Sequence, residues 1–511
     1  YELPGNYGNH KMEADKDLYF EGYYIPRPFS LLVKGGTTSV LQQELQSRNE
    51  VAAYDMQGIS RIQQQQGLQD LEKIDAGAYA YSGGSMKIPQ NPDEIIKRIF
   101  VSLTANVELS DEEAEREDEL KGRSFYTGLA SLDEALDYIN KVRATNFGED
   151  TDFEIWMAEG TYKPRNARKD ADPGTGEPNQ RQNSFVIPQG VQIFGGFSGE
   201  EIYSYGLNAL SNKGGLKDLK ESTDVDILNL LDARESGDLN SNGITEPWEM
   251  AHPTILSGHV NLSAKEKNVY HVLYSKADAQ ASGLGGVTLD GLTIMDGETY
   301  NVMKGRSEVG RGAGIYTVGI DYKLVRCRLL NNKAVRGGAV YALNANVTSV
   351  GSIFAGNGTV EDAEVDDTVT ASEEQNIRGG ALYLAGADGS TYWLKAVNTL
   401  WANNGTDMGT GDNPSWGGAV AVSGTGEVDL MNNTFVRNKA GQYAAVYVEN
   451  TETNASKMTN TAVWGNECEG SPVHLVATGI RNSACDVEFG NLSSNSSVSY
   501  THLTLPTKLE V

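Results

Sequence analysis

Twelve residues, "DLNSNGITEPWE" at 238–249, carry the sharpest chemical signal in the chain. Oxygen-bearing side chains recur at positions 1, 3, 5, 9 and 12 of this stretch: Asp238, Asn240, Asn242, Glu246 and Glu249. Gly243 stands at position 6, where a calcium loop must turn sharply, and Ile244 at position 7 offers a main-chain carbonyl. Calcium takes about six to eight hard oxygens from a flexible loop, and this spacing supplies them. Position 8, usually aliphatic, is Thr245, and Pro247 would disturb a following helix. The expectation is therefore a loop stiffened by Ca2+, not a full helix–loop–helix hand. The plain alternative is an Asn-Gly turn in an acidic loop.

Other chemistry is sparse. No GxSxG, phosphate-binding loop or HExxH occurs. His252, His259 and His271 lie close in sequence without metal-ligand spacing, and isolated histidines are more often structural. Cys327, Cys468 and Cys485 are too few for a disulfide framework or a zinc site. Cys468 and Cys485 have the option of pairing, but small buried residues are the simpler reading. Trp393, Trp401, Trp416 and Trp464 have faces on which sugars stack. Trp401 and Trp464 fall in an apolar slot that reads as core, whereas Trp416 replaces an arginine and is expected nearer the surface.

The elements that must position these residues are repeats. Glycine-led strands recur as "RGAGIYT" (311–317), "RGGAVYA" (336–342), "RGGALYL" (378–384), "WGGAVAV" (416–422) and "QYAAVYV" (442–448). Each is followed by an element ending in asparagine: "CRLLNN" (327–332), "SIFAGN" (352–357), "TLWANN" (399–404), "NTFVRN" (433–438) and "AVWGN" (462–466). Gly314 to Ala339 and Asn332 to Asn357 are both 25 residues. A period near 25 with strand-type alternation and no leucine ladder points to an all-β parallel β-helix solenoid. Glycine supplies positive φ at its corners. Asn332, Asn357, Asn404, Asn438 and Asn466 are expected at one turn of successive coils, tolerating the left-handed conformation and bonding into a structural ladder. Sequons such as Asn357-Gly-Thr359 read as by-products of those turns.

Upstream, Ser131 and Glu134 form a capping box ahead of a stripe of Leu132, Ala135, Leu136, Ile139 and Val142. A helix over about 131–143 should close the open end of the coil. Long insertions interrupt the repeats at 163–183, 201–250 and 359–377, the last with seven acids and no base. They read as solvated loops, or as a contact surface gathered on one face.

Net charge is −27 over 511 residues. So acidic a surface argues against nucleic acid and anionic lipid as partners. No run approaches the ~18 apolar residues of a membrane helix, so no transmembrane segment is expected.

The GGA(I/L/V) and FxxN elements, Gly337–Val340, Gly379–Leu382, Gly417–Val420, Phe354–Asn357 and Phe435–Asn438, resemble the repeats of polymorphic outer-membrane proteins. "SLDEALDYINKV", "FEIWMAEGTYKP" and "FVIPQGVQIFGGFSG" are similar to the opening of right-handed parallel β-helix proteins secreted by Bacteroidota-type bacteria. The resemblance covers roughly residues 97 to 497. It implies a right-handed coil with regular repeats over about 311–466 and an extracellular or outer-membrane location. "DMQGISRI" and "KIDAGAYAY" are similar to the close of a preceding β-helix domain, placing its end at 1–81 and a linker at 82–96. "VSYTHLTLPT" resembles a translated sequencing adapter, so 498–511 is expected to be non-native. With a start at Tyr1, this points to a fragment. The implied function is a non-catalytic adhesin or ligand-binding stalk for a host or microbial surface ligand such as a glycan. The alternative is a polysaccharide lyase or glycoside hydrolase on the same scaffold. No catalytic residue is assigned: the Gly-His-Gly of β-helix hydrolases is missing at Gly258-His259-Val260, and Asp321, Asp388 and Asp429 are scattered.

Overall fold

The computed structural model describes residues 86–103, 120–166, 179–201, 234–239, 243–259, 268–277, 284–299, 310–358, 378–405, 415–449 and 456–468, with a few short pieces elsewhere. The preceding domain expected at 1–81, most of the 163–183 and 201–250 insertions, all of 359–377, Cys485 and the 498–511 tail lie outside the described residues.

The chain is mostly β, with long stacked parallel sheets of ten, nine and seven strands, the architecture of a parallel solenoid. One turn illustrates the path. Ile315–Val318 joins the seven-stranded sheet, Tyr322–Val325 the ten-stranded sheet and Arg328–Leu330 the nine-stranded sheet. The next turn lays Val340–Leu343, Val347–Val350 and Ile353–Ala355 beside them, pairing Ile315 with Val340, Tyr322 with Val347 and Arg328 with Ile353. Each strand thus bonds to its counterpart one turn away rather than to its neighbour in sequence. The parallel register is what lets identical side-chain types stack.

Alternation decides what is inside. Ile315, Val340, Leu382, Val420 and Val446 line up in the seven-stranded sheet and are fully buried. In the nine-stranded sheet Phe354, Trp401 and Phe435 stack at 4.1 and 5.6 Å between ring centroids. Their slot continues with Val463, which pairs with Phe435. The expectation that Trp464 fills it is off by one residue: Trp464 pairs with Val436 on the alternate row.

The corners explain the glycine pair. Gly337 has φ 60°, and a Cβ there would meet the Val340 carbonyl oxygen. Gly338 packs against the Gly380 carbonyl of the next turn, leaving no room for a side chain. The asparagine corner differs from expectation in one respect. Asn332, Asn357, Asn404, Asn438 and Asn466 are absent from the positive-φ residues; the residue just before each carries it: Asn331, Gly356, Asn403, Arg437 and Gly465. The left-handed step turns the chain, and the following asparagine points inward.

A helix, α1 (Leu132–Arg143), starts at Ser131, whose hydroxyl accepts the Glu134 amide at 3.3 Å. Its stripe of Leu132, Ala135, Leu136, Ile139 and Val142 is buried with Tyr138. It packs near Arg98–Val101, the end strand of the ten-stranded sheet, and the Ile96 amide donates to Tyr138 Oη at 3.0 Å. No helix among the described residues is long and apolar enough to cross a membrane.

Candidate functional sites

The asparagines form one buried column. Asn332, Asn357, Asn404 and Asn438 each donate Nδ2 to the Oδ1 of the next asparagine at 2.8–3.1 Å, ending on Asn466. Every member also donates Nδ2 to a carbonyl oxygen of the preceding turn: Ile294, Leu329, Phe354, Trp401 and Phe435. The backbone amides of the first four bond the same Oδ1 atoms. Both amide ends are therefore satisfied in the buried interior, the condition for burying them at little cost. Asn357 is 1 % exposed, so its sequon presents no accessible side chain.

The 238–249 loop is described in part. Asn240 and Asn242 lie outside the described residues. Asp238 Oδ2 accepts the Gly243 amide at 2.8 Å, and Gly243 has φ 82°. Ile244 is exposed. Glu249 is 2 % exposed and accepts the Glu246 amide at 3.3 Å. Its pKa is raised by burial and by the hydrogen bond with Glu246, with Asp238 adding to the effect. Gathering carboxylates until they resist ionisation suits a cation site. Among the described residues, however, no group of three or more His, Cys, Asp or Glu side chains is arranged to hold a metal ion.

The histidines each bond a different partner. His252 Nδ1 meets Glu159 Oε2 at 3.0 Å, His259 Nδ1 meets Asn268 Oδ1 at 3.1 Å, and buried His271 Nδ1 meets the Gly312 carbonyl at 3.0 Å. Cys327 is buried, and burial pushes its thiol up to about 12, so it is no nucleophile. Cys468 is half-buried, and its Sγ accepts the Ala444 amide. Trp401 is fully buried, with Nε1 donating to Asn433 Oδ1 at 3.2 Å. Trp416 is half-buried beneath the Arg378 guanidinium, 4.6 Å from its ring. Asp388 binds Tyr392 Oη and Asp429 pairs with Lys457, so these two acids are engaged locally.

Three arrangements were not legible in the sequence. On the outer face of the seven-stranded sheet, Tyr274, Tyr316, Tyr341 and Tyr383 stack at 5.1–5.4 Å. Arg311 and Arg336 lie over Tyr341 and Tyr383. Beside the 201–250 insertion, Asp290 takes both Arg234, at 3.0 Å, and a two-pronged bond from Arg326, at 3.0 and 2.8 Å. Arg234 also donates to the Gly195 carbonyl at 2.7 Å, which pins the returning end of that insertion to the coil. Finally, Lys163, Asp296 and His259 interact electrostatically near the first turns. Burial lowers the Lys163 pKa, and burial raises that of Asp296 against the opposing pull of His259, Ser257 and Lys163.

No known family model matches the chain, and neither a curated protein nor a solved structure matches it.

Proposed function

We propose that this chain is a non-catalytic cell-surface or secreted protein, a right-handed parallel β-helix of about 25 residues per turn, acting as an adhesin or glycan-binding stalk. In this reading α1 caps the N-terminal end, and Ca2+ held by Asp238, Asn240, Asn242, Ile244, Glu246 and Glu249 stiffens the 201–250 insertion. The observation that carries the reading is the continuity of register. Strand follows strand in the ten-stranded sheet without a register shift from Val287–Asp290 onward, so outward side chains recur along straight rows about 4.8 Å apart. A long repetitive ligand meets such rows many times over, which suits recognition of a polymer or a surface. The buried asparagine column supports a stiff scaffold beneath them.

The enzyme alternative is favoured by one place, the Lys163, Asp296 and His259 group, where charged side chains interact and burial shifts the pKa values of Lys163 and Asp296. The test is a panel of plant, mucin and microbial polysaccharides incubated with the chain and calcium, read for bound glycan and for released product. Binding without product supports the stalk. Product that disappears in Lys163→Gln or Asp296→Asn would establish the enzyme instead.

A further inference from the structure

The outer face of the ten-stranded sheet carries one row whose chemistry differs from the rest of this acidic chain. Register pairs Lys323 with Thr348, Thr348 with Lys395, Lys395 with Asp429 and Asp429 with Lys457. The lysines are exposed, while the side chains flanking them in sequence, such as Tyr322, Leu324, Leu394 and Ala396, are buried inside. One row over, the Trp393 ring lies half-buried with the Lys395 ammonium 5.7 Å from its centroid.

The charge balance of this face is decided by which groups already have partners. Asp429 is paired with Lys457 at 3.1 Å. Asp321 accepts both the backbone and side-chain amides of Asn346, at 2.7 and 3.0 Å. Glu427 is buried and engaged. Among the described residues Lys323 and Lys395 have no ion pair. Lys323 and Lys395 are therefore the ammonium groups of this row left without a carboxylate partner, while Asp321 and Glu427 keep their own charges to its sides. The two ammonium groups sit two turns apart, about 9.6 Å along the axis, with the Thr348 hydroxyl between them.

We propose that this face binds an anionic polysaccharide whose acid groups are uronate carboxylates. The glycan would run along the coil axis, with alternate carboxylates on Lys323 and Lys395 and a sugar face on Trp393. Lysines act as separated point charges, whereas a densely sulfated chain calls for the fork geometry of clustered arginines, which the row lacks. The inference rests on the binding reading above and adds the ligand class and the row that meets it.

The test uses the full chain with immobilised polygalacturonate, a neutral glucan and chondroitin sulfate as probes, at low and high salt. Polygalacturonate should bind and weaken with salt. Lys323→Gln combined with Lys395→Gln should lower its affinity roughly tenfold to a hundredfold, two charge-assisted hydrogen bonds being lost. Trp393→Ala should weaken it further, while Lys333→Gln, an exposed lysine on another row, should change it less than about twofold. Undiminished binding by the double variant would overturn the site but leave a binding protein. Preference for chondroitin sulfate, or for the neutral glucan, would overturn the uronate assignment. Failure of every probe to bind would overturn the site outright. Release of polygalacturonate fragments would instead overturn the binding reading on which it rests.

Discussion

Replacing Asn404 by alanine tests whether the asparagine column carries stability. The side chain makes four hydrogen bonds: Nδ2 to the Phe354 carbonyl at 2.8 Å and to Asn438 Oδ1 at 3.0 Å, and Oδ1 from the amide and Nδ2 of Asn357 at 3.1 and 3.0 Å. Some partners are rescued. Asn438 Oδ1 keeps the Asn404 backbone amide, and Asn357 Nδ2 keeps the Leu329 carbonyl. The Asn357 amide loses its acceptor in a site closed to water. Four bonds at about 1 kcal/mol each, with stranded buried groups at the upper end of their range, give a loss of about 3–6 kcal/mol. A domain has about 5–15 kcal/mol in total, so the effect should be plain. The adjacent Asn403 is the control. It is exposed, with φ 52°, and its replacement by glycine should cost less than about 0.5 kcal/mol because glycine accepts that backbone freely. Denaturant unfolding followed by the emission of the tryptophans, Trp156 and Trp401 being fully buried, reads both variants. If Asn404→Ala unfolds within about 0.5 kcal/mol of the parent, the column does not hold the coil and the reasoning fails.

Other perturbations probe separate parts. Burial lifts the Asp133 carboxyl at the start of α1 from 3.8 to about 7, so the folded state holds its proton more tightly than the unfolded chain. Stability should fall as pH rises from about 4 to about 7, by at most on the order of 4 kcal/mol, and thermal unfolding of Asp133→Asn should lose that dependence. Gly379→Ala should cost about 2–3 kcal/mol, since φ is 66° and the new Cβ meets the Leu382 carbonyl. Gly389→Ala, at φ 87° with open space around it, should cost only about 1 kcal/mol; equal midpoints in urea would contradict this. Calcium added after chelation should raise the thermal midpoint, and Asp238→Asn with Glu249→Gln should abolish the rise. A midpoint indifferent to calcium in the parent chain would remove the metal from the account.

What the sequence made legible depended on periodicity. Alternation between apolar and polar residues located the strands, and a capping residue followed by an apolar stripe located α1, because both signals are local. The asparagine spacing could be counted, but not that the left-handed turn belongs to the preceding residue. Asparagine is common at both positions, as Asn331-Asn332 and Asn403-Asn404 illustrate. At the last turn the register runs on unshifted and places Val463, not Trp464, beside Phe435; the apolar character of both neighbours hid this, although Val463 keeps the three-residue spacing to Asn466 that Phe435 keeps to Asn438. Contacts between an insertion and the coil left no trace. Arg234 and Asp290 are separated by 56 residues, and neither sits in a repeat. The tyrosine stack is buried by neighbours one turn away, not by its own strand, so local alternation carries no sign of it. Lys323 and Lys395 fall in different repeats with an acidic insertion between them, so only the register brings them into one row.

The most direct measurement is the fate of a polysaccharide held by the chain. Polygalacturonate would be incubated to saturation with the full protein and calcium, then recovered and sized. The account predicts retention by the protein, full-length polymer on recovery, and no new reducing ends or unsaturated products. Shortened polymer, in amounts that grow with time and protein, would contradict the claim that this coil binds without catalysing.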